Sequence, residues 1–123
     1  MSPEKLIKFA EEAQKRAYAP YSNYLVGSAL LTDSNKIILG CNIESKAYPT
    51  TLCAERVAIF SALAQGFLKF SGLAVITKDK GYPCGGCLQI IHEYVGNVPI
   101  YIASTIEDYS EHRISQLLPY PFG

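Results

Sequence analysis

Three cysteines at the starts of two predicted helices constrain the fold of this chain more than any other feature. Cys53 opens one predicted helix, and Cys84 and Cys87 lie three residues apart at the start of a second. This spacing places the sulfurs of Cys84 and Cys87 on one face of their helix, where a single metal ion can bind both. If Cys53 supplies a third thiolate to the same ion, the N-termini of the two helices must lie side by side.

The ligand count and a nearby acid indicate what such an ion does. A structural zinc site uses four protein ligands, whereas three leave a position at which water can be bound and activated. Glu55 follows Cys53 by two residues and is free for proton transfer. Arg56 and the two helix N-termini compensate the negative charge of three thiolates. The pattern predicts a catalytic zinc centre with hydrolytic chemistry.

Other interpretations of these residues stay open at this point. The Cys84-Gly85-Gly86-Cys87 stretch could be a redox dithiol, although thioredoxin-like domains carry that pair directly after their first strand. Cys41 could be a fourth ligand of a structural zinc site, although a cysteine at a strand end is typically a small buried apolar residue. Glu55 could simply stabilise the dipole of its helix.

Length and charge limit the class of protein. A chain of 123 residues predicts a single domain over 1–123. Lysine plus arginine equal aspartate plus glutamate at 11 each, so no electric field attracts nucleic acid or an anionic membrane. We expect a small, nearly neutral partner. The lack of an apolar signal core or membrane-spanning run, together with free cysteines, predicts a cytoplasmic protein.

Hydrophobic periodicity predicts alternating helices and strands. A helix from Pro3 to near Pro20 precedes a hairpin of strands 25–31 and 36–41. We then expect helix 53–65, strand 73–77, helix 84–94, strand 98–103 and a short helix over 111–118. Strands that alternate with helices imply right-handed crossovers and a mixed sheet covered on both faces.

Several separated motifs carry a family resemblance that covers nearly the whole chain. They are Tyr18-Ala19-Pro20-Tyr21-Ser22, Gly40-Cys41-Asn42-Ile43-Glu44, Tyr48, Cys53-Ala54-Glu55-Arg56, Pro83-Cys84-Gly85-Gly86-Cys87-Leu88-Gln89, and Leu117-Leu118-Pro119 with Phe122. In this order they closely resemble the small homo-oligomeric cytidine deaminases. The resemblance implies a three-layer α/β/α sandwich with a five-stranded mixed sheet and one Zn²⁺ per subunit, held by Cys53, Cys84 and Cys87.

The resemblance also implies a reaction. Zinc-activated water attacks C4 of cytosine, while Glu55 takes the water's proton, passes it to N3 and helps to protonate the departing amine. The expected activity is hydrolytic deamination of cytidine and deoxycytidine to uridine and deoxyuridine, in pyrimidine salvage. The expected assembly is a homotetramer.

The substrate-binding residues are likewise carried over from the family. Asn42 and Glu44 match residues that hydrogen-bond the ribose hydroxyls, which favours a nucleoside over a free base. Tyr24 stands where relatives have a phenylalanine stacked on the pyrimidine. Tyr48 and Phe122 match positions contributed across a subunit interface. Turn capping for Asn42 and Glu44, and ordinary packing for the three aromatic residues, are the alternatives.

Some positions depart from the family pattern and put substrate preference in question. Ser45-Lys46 replaces Asn-Ala, Leu88 replaces an arginine, and the segment between Thr77 and Pro83 is shorter than usual. His92 and His112 have no ligand spacing to a cysteine or an acid. Rival functions are deamination of blasticidin S, dCMP or another aminopyrimidine, or a catalytically silent, zinc-stabilised assembly subunit.

Overall fold

A five-stranded sheet lies at the centre of the computed structural model, which describes residues 1–123. Its strands are β1 (Gly27–Thr32), β2 (Ile37–Cys41), β3 (Phe70–Ile76), β4 (Ile100–Ala103) and β5 (Tyr109–His112), in the spatial order β2-β1-β3-β4-β5. β3 and β4 are parallel, and every other neighbouring pair is antiparallel. The prediction of a five-stranded mixed sheet is confirmed.

The four α-helices are short, and the first begins with residues that favour a helix N-terminus. They are α1 (Pro3–Gln14), α2 (Ala54–Ala64), α3 (Gly85–Ile90) and α4 (Ile114–Leu117). A 3₁₀ turn covers Tyr48–Thr50, and a π-helical turn, Ile91–Val95, continues α3. Ser2 caps α1 by accepting a hydrogen bond from the Lys5 amide at 3.2 Å, with Pro3 in the first turn. No helix of the chain is long and apolar enough to cross a membrane.

Two apolar clusters on opposite faces of the sheet give the fold its three layers. On one face Leu6, Ile7 and Ala10 of α1 pack with Ala29 and other sheet residues. The opposite face buries Ala58 and Ile59 of α2 with Leu30, Leu73, Val75, Ile100 and Ile102. Neighbouring residues Ala29 and Leu30 point to opposite faces because side chains alternate along a strand. The predicted α/β/α sandwich is confirmed.

A glycine sets how closely α2 approaches the sheet. A Cβ atom on Gly40 of β2 would lie 2.2 Å from the Ala54 carbonyl oxygen and 2.6 Å from the Ala58 amide nitrogen. The Ser28 hydroxyl also donates a 2.8 Å hydrogen bond to that carbonyl oxygen. The sheet therefore holds the first turn of α2, which carries the residues on either side of Ala54.

Three predicted elements were wrong in part. Residues 109–112, part of which we expected to be helical, form edge strand β5 because they pair with β4, and the helix is confined to 114–117. Helix α1 ends at Gln14 and not near Pro20. Strand β3 begins at Phe70, three residues before the predicted start, because its first residues pair with β1.

Candidate metal centre and substrate cavity

The three cysteines predicted as zinc ligands come together at the N-termini of α2 and α3. The sulfurs of Cys53, Cys84 and Cys87 all lie within 4.8 Å of one another. A tetrahedral ion with Zn–S bonds of about 2.3 Å separates its sulfurs by about 3.8 Å. The cluster is thus of the size that a zinc ion needs. Cys41 stays outside it, where burial raises the pKa of its thiol.

Local backbone structure explains this convergence. Cys53 is the N-cap of α2, with φ −73° and ψ 152°. Cys84 occupies the same position on α3, and its sulfur accepts a hydrogen bond from the Cys87 amide at 3.5 Å. Both cysteines therefore stand at the positive dipole end of a helix, which stabilises a thiolate, although only the Cys84 sulfur accepts a hydrogen bond from a helix amide.

Arg56 supplies a full positive charge to the same cluster. Its Nη2 atom donates to the Cys84 sulfur at 3.6 Å, and its buried Nε atom has no hydrogen-bond partner. A Cβ atom on Gly86 would lie 2.3 Å from Arg56 Nη2, so the glycine leaves room for the guanidinium. The guanidinium therefore lies where a cation can offset the negative charge of the thiolates.

Cys53 is the thiol that is set up to ionise, and metal binding requires a deprotonated sulfur. The pKa of Cys53 is lowered to about 6, chiefly by a hydrogen bond with Cys87 and also by the charge of Arg56, against the opposing effect of burial. The same hydrogen bond and burial raise the pKa of Cys87. Three soft sulfur donors beside a guanidinium fit zinc well.

Glu55 lies in the first turn of α2 and is only 4% exposed. Its pKa is raised from 4.5 to about 7, chiefly by burial and also by the nearby Cys53, while the charge of Arg56 opposes the rise. A carboxyl group with a pKa near neutrality can both accept and release a proton at physiological pH.

A cavity of about 300 Å³ opens in front of this cluster. Such a volume is at the lower end of the range for small-molecule sites. Most of the predicted site residues line it: Tyr24, Asn42, Glu44, Cys53, Glu55 and Cys84. The cavity therefore joins the metal cluster and the proposed proton carrier to the predicted substrate-binding groups.

Asn42 and Glu44 are held in place by the segment that precedes β1. The Asn42 amide accepts from the Val26 N–H at 3.0 Å and donates to the Tyr24 carbonyl at 2.8 Å. The Glu44 carboxylate accepts from the amides of Tyr21 and Ser22 at 3.0 and 3.1 Å and from the Ser22 hydroxyl. These bonds from Ser22 and Tyr21 lower the pKa of Glu44, which keeps it an acceptor.

Tyr48 and Phe122 lie outside this cavity on their own chain. Tyr48 is 82% exposed and lines an adjoining cavity with Tyr21, Lys46 and others, whereas Phe122 is 86% exposed. Gln89 fixes the C-terminal end by accepting from the Phe122 amide at 3.1 Å and donating to its carbonyl at 2.7 Å. Because both rings are so exposed, neither packs into the core of its own chain.

Two residues that depart from the family pattern, and the two histidines, lie in different parts of the structure. Leu88 packs against the apolar cluster under α2, and Lys46 lines the cavity that adjoins the first. His92 is within 3.4 Å of the Gly123 carbonyl, and His112, in β5, contacts the Ser110 hydroxyl at 2.8 Å. Both histidines therefore stay outside the metal cluster.

Sequence reasoning missed several cavity residues. Ser22, Thr51, Leu52, Thr77, Gly81 and Tyr82 line the cavity, and Asp79 bonds to the hydroxyl of Tyr24. One sequence signal could have indicated Asp79. It lies in a polar turn between a buried strand and the second pair of ligands, Thr77-Lys78-Asp79-Lys80-Gly81.

Comparison with known proteins agrees with this geometry. Residues 1–102 match the model of the cytidine and deoxycytidylate deaminase zinc-binding region. Cytidine deaminase of Sporosarcina psychrophila is 43% identical over all of this chain and 93% of its own length. That of Halalkalibacterium halodurans is 39% identical over 99% of this chain and 95% of its own length.

Solved structures match equally well. The crystal structure of cytidine deaminase from Burkholderia pseudomallei has a TM-score of 0.93 and 38% identity, covering 99% of this chain and 100% of that one. The Mycobacterium tuberculosis structure has a TM-score of 0.86 and 32% identity, covering 100% and 98%. The resemblance identified from the motifs is confirmed: the chain belongs to the cytidine and deoxycytidylate deaminase family.

Proposed function

We propose that this protein is a zinc-dependent hydrolase that deaminates cytidine and deoxycytidine to uridine and deoxyuridine with release of ammonia, in pyrimidine salvage. The observation that carries the proposal is the buried Glu55 carboxyl beside the Cys53, Cys84 and Cys87 sulfurs at the end of one cavity. The activity of its relatives supports the choice of substrate.

Cys53, Cys84 and Cys87 would hold a zinc ion, which when bound would supply Lewis acidity and make a water molecule more acidic. Glu55 accepts a proton from a water molecule and delivers it to N3 of the base, because a buried carboxyl group with a raised pKa can both take up and release a proton. A second proton passes through Glu55 to the leaving amine. In balance, C4 gains the oxygen of water and loses its amino group as ammonia.

The other site residues orient the nucleoside. Asn42 and Glu44 present fixed acceptors and a donor to the ribose hydroxyls, because their own hydrogen bonds to residues 21–26 hold them still. The ring of Tyr24 provides an apolar face for the pyrimidine. Arg56 stabilises the thiolates and so supports the metal cluster.

The position of Lys46 is the one observation that favours a phosphorylated substrate such as dCMP, because this positively charged residue lines the adjoining cavity. Glu44 lines the same cavity, and its hydrogen bonds with Ser22 and Tyr21 keep it ionised, so it repels a phosphate there. We therefore favour the nucleoside. Parallel assays with cytidine and dCMP separate the two.

We infer further that the protein works in the cytoplasm as a homotetramer of one-domain subunits. The large exposure of Tyr48, Tyr120 and Phe122 supports an interface at which Tyr48 and Phe122 complete a neighbour's pocket. The four free cysteines suit a reducing compartment. Light scattering coupled to size exclusion tests the assembly, and a monomer with full activity would contradict the shared pocket.

Ultraviolet spectroscopy of cytidine mixed with zinc-loaded protein tests the reaction. We expect conversion to uridine, loss of activity with a chelator, and a fall of about 10²- to 10⁴-fold in kcat for Glu55→Gln with zinc retained. A Glu55→Gln variant with near-normal turnover contradicts the assignment. A folded, zinc-containing wild type that converts no aminopyrimidine favours the silent assembly subunit.

A further inference from the structure

The side chain of Tyr24 is held by the loop that joins β3 to α3. Its hydroxyl donates a 2.5 Å hydrogen bond to Asp79 Oδ1, and the Lys78 ammonium lies 5.6 Å from the ring centroid. A Cβ atom on Gly81 would lie 2.5 Å from the same hydroxyl, so the loop backbone passes close to the phenol. Three residues of one loop thus surround the ring that faces the cavity.

Asp79 is itself fixed within this loop. Thr77 Oγ1 donates to Asp79 Oδ1 at 3.3 Å and accepts from the Gly81 amide at 2.6 Å. Thr77 is 3% exposed, so these bonds start from a rigid position at the end of β3. A left-handed backbone at Lys80, with φ 57°, reverses the chain between Asp79 and Gly81. The acceptor for Tyr24 is therefore preorganised.

The bond between Tyr24 and Asp79 connects two chain segments that line the cavity. Tyr24 belongs to the segment before β1, while Gly81, Tyr82, Pro83 and Cys84 belong to the segment between β3 and α3. Asp79 is not among the residues that line the cavity, and its connection to the site is the hydrogen bond with Tyr24. A phenylalanine at position 24 could not make this connection.

We propose that Asp79 is a positioning residue, whose hydrogen bond fixes the Tyr24 ring against the 77–83 loop and thereby raises the affinity for the base of an aminopyrimidine nucleoside. The inference rests on the proposed function. A ring that is already immobile loses no freedom when a base stacks on it, so binding is tighter. The effect falls on binding and not on the proton transfers of Glu55, because neither Tyr24 nor Asp79 bonds to that carboxyl.

Steady-state kinetics on four variants and one control tests this. We expect Tyr24→Phe and Asp79→Ala each to raise KM by about three- to tenfold, with kcat changed less than about twofold. The double variant should be no worse than the worse single one, because both remove the same contact. Asp79→Asn keeps an acceptor oxygen and should fall between the wild type and Asp79→Ala.

Asp108→Ala is the matched control. Asp108 makes an exposed 3.2 Å ion pair with Lys80 of the same loop, so this variant removes the same charge without touching Tyr24. We expect its KM to stay within about twofold of the wild type. Equal effects of Asp79→Ala and Asp108→Ala, multiplying effects in the double variant, or an unchanged KM in Asp79→Ala overturn the proposal.

A measurement without substrate keeps this inference separate from the proposed function. Burial and the bond to Asp79 raise the pKa of the Tyr24 phenol, which NMR of ¹³Cζ-labelled tyrosine can follow after assignment with Tyr24→Phe. In Asp79→Ala this pKa should fall, and an unchanged titration overturns the contact. A wild type that converts no nucleoside refutes the proposed function, while a shifted Tyr24 titration still supports the bond.

Discussion

The substitution Gly40→Ala tests whether the sheet positions the catalytic residues. The new methyl group would lie 2.2 Å from the Ala54 carbonyl oxygen, whereas ordinary contact begins near 3.4 Å. Helix α2 must therefore move by about 1.2 Å, or the sheet must yield by the same amount. The Ala58 amide and the Ser28 hydroxyl, at 2.6 and 2.7 Å, leave no other direction for the methyl group.

Both stability and activity should fall. Overpacking of this kind costs about 1–3 kcal/mol of unfolding free energy. Misplacement of a catalytic group by about 1 Å costs about 10²-fold in rate, and Cys53 and Glu55 flank the displaced Ala54. We expect urea denaturation to give a lower midpoint, and the cytidine assay to give a kcat reduced by about 10²-fold.

Gly72→Ala is the matched control for this experiment. Gly72 is buried in β3, and a Cβ atom there would meet its nearest neighbours, Leu6 Cδ2 and the Pro99 carbonyl oxygen, at 3.5 and 3.8 Å. We expect a change below about 0.5 kcal/mol and normal activity. The reasoning is refuted if Gly40→Ala is as stable and as active as Gly72→Ala.

Three further predictions concern the metal centre. In metal-free protein, Glu55→Gln should add up to about 3 kcal/mol of unfolding free energy above pH 7 but little below pH 4.5. The pKa of Glu55 is raised to about 7 in the folded protein, so ionisation of this carboxyl at higher pH destabilises the fold. Urea denaturation at pH 4.5 and pH 8, with chelator present, checks this. Arg56→Gln should weaken zinc binding by about tenfold in chelator competition. Chelation should lower Tm, with recovery on adding zinc but not magnesium, because thiolates select soft ions.

The metal half of the site could be predicted from the sequence because its signals are local. Cys53 and Cys84 sit at helix N-caps, a position that the turn residues and the start of an apolar period reveal. The prediction that these two cysteines lie close together required only the assumption that one metal ion binds both sulfurs. The register of the sheet, by contrast, brings β5 beside β4 through residues 109–112, whose polar sequence has no strand periodicity.

The contacts of Tyr24 could not be predicted for a related reason. Asp79 lies far along the chain, and no short-range pattern links the two. Their contact depends on how β3 ends beside the segment before β1, which is a property of strand pairing. The same holds for Glu44, whose carboxylate is bound by amides of Tyr21 and Ser22.

The two halves of the site are therefore held by different means, and this has a consequence for specificity. Cys53 and Glu55 lie at the start of α2, which the sheet fixes, and Cys84 is the N-cap of α3, so the deamination chemistry depends on the fold itself. The substrate side rests on side-chain hydrogen bonds between coil segments, such as that from Tyr24 to Asp79. Such bonds can change without loss of the core, because loops tolerate substitution better than packed interiors do. Substrate preference can thus diverge within this family while the reaction stays the same.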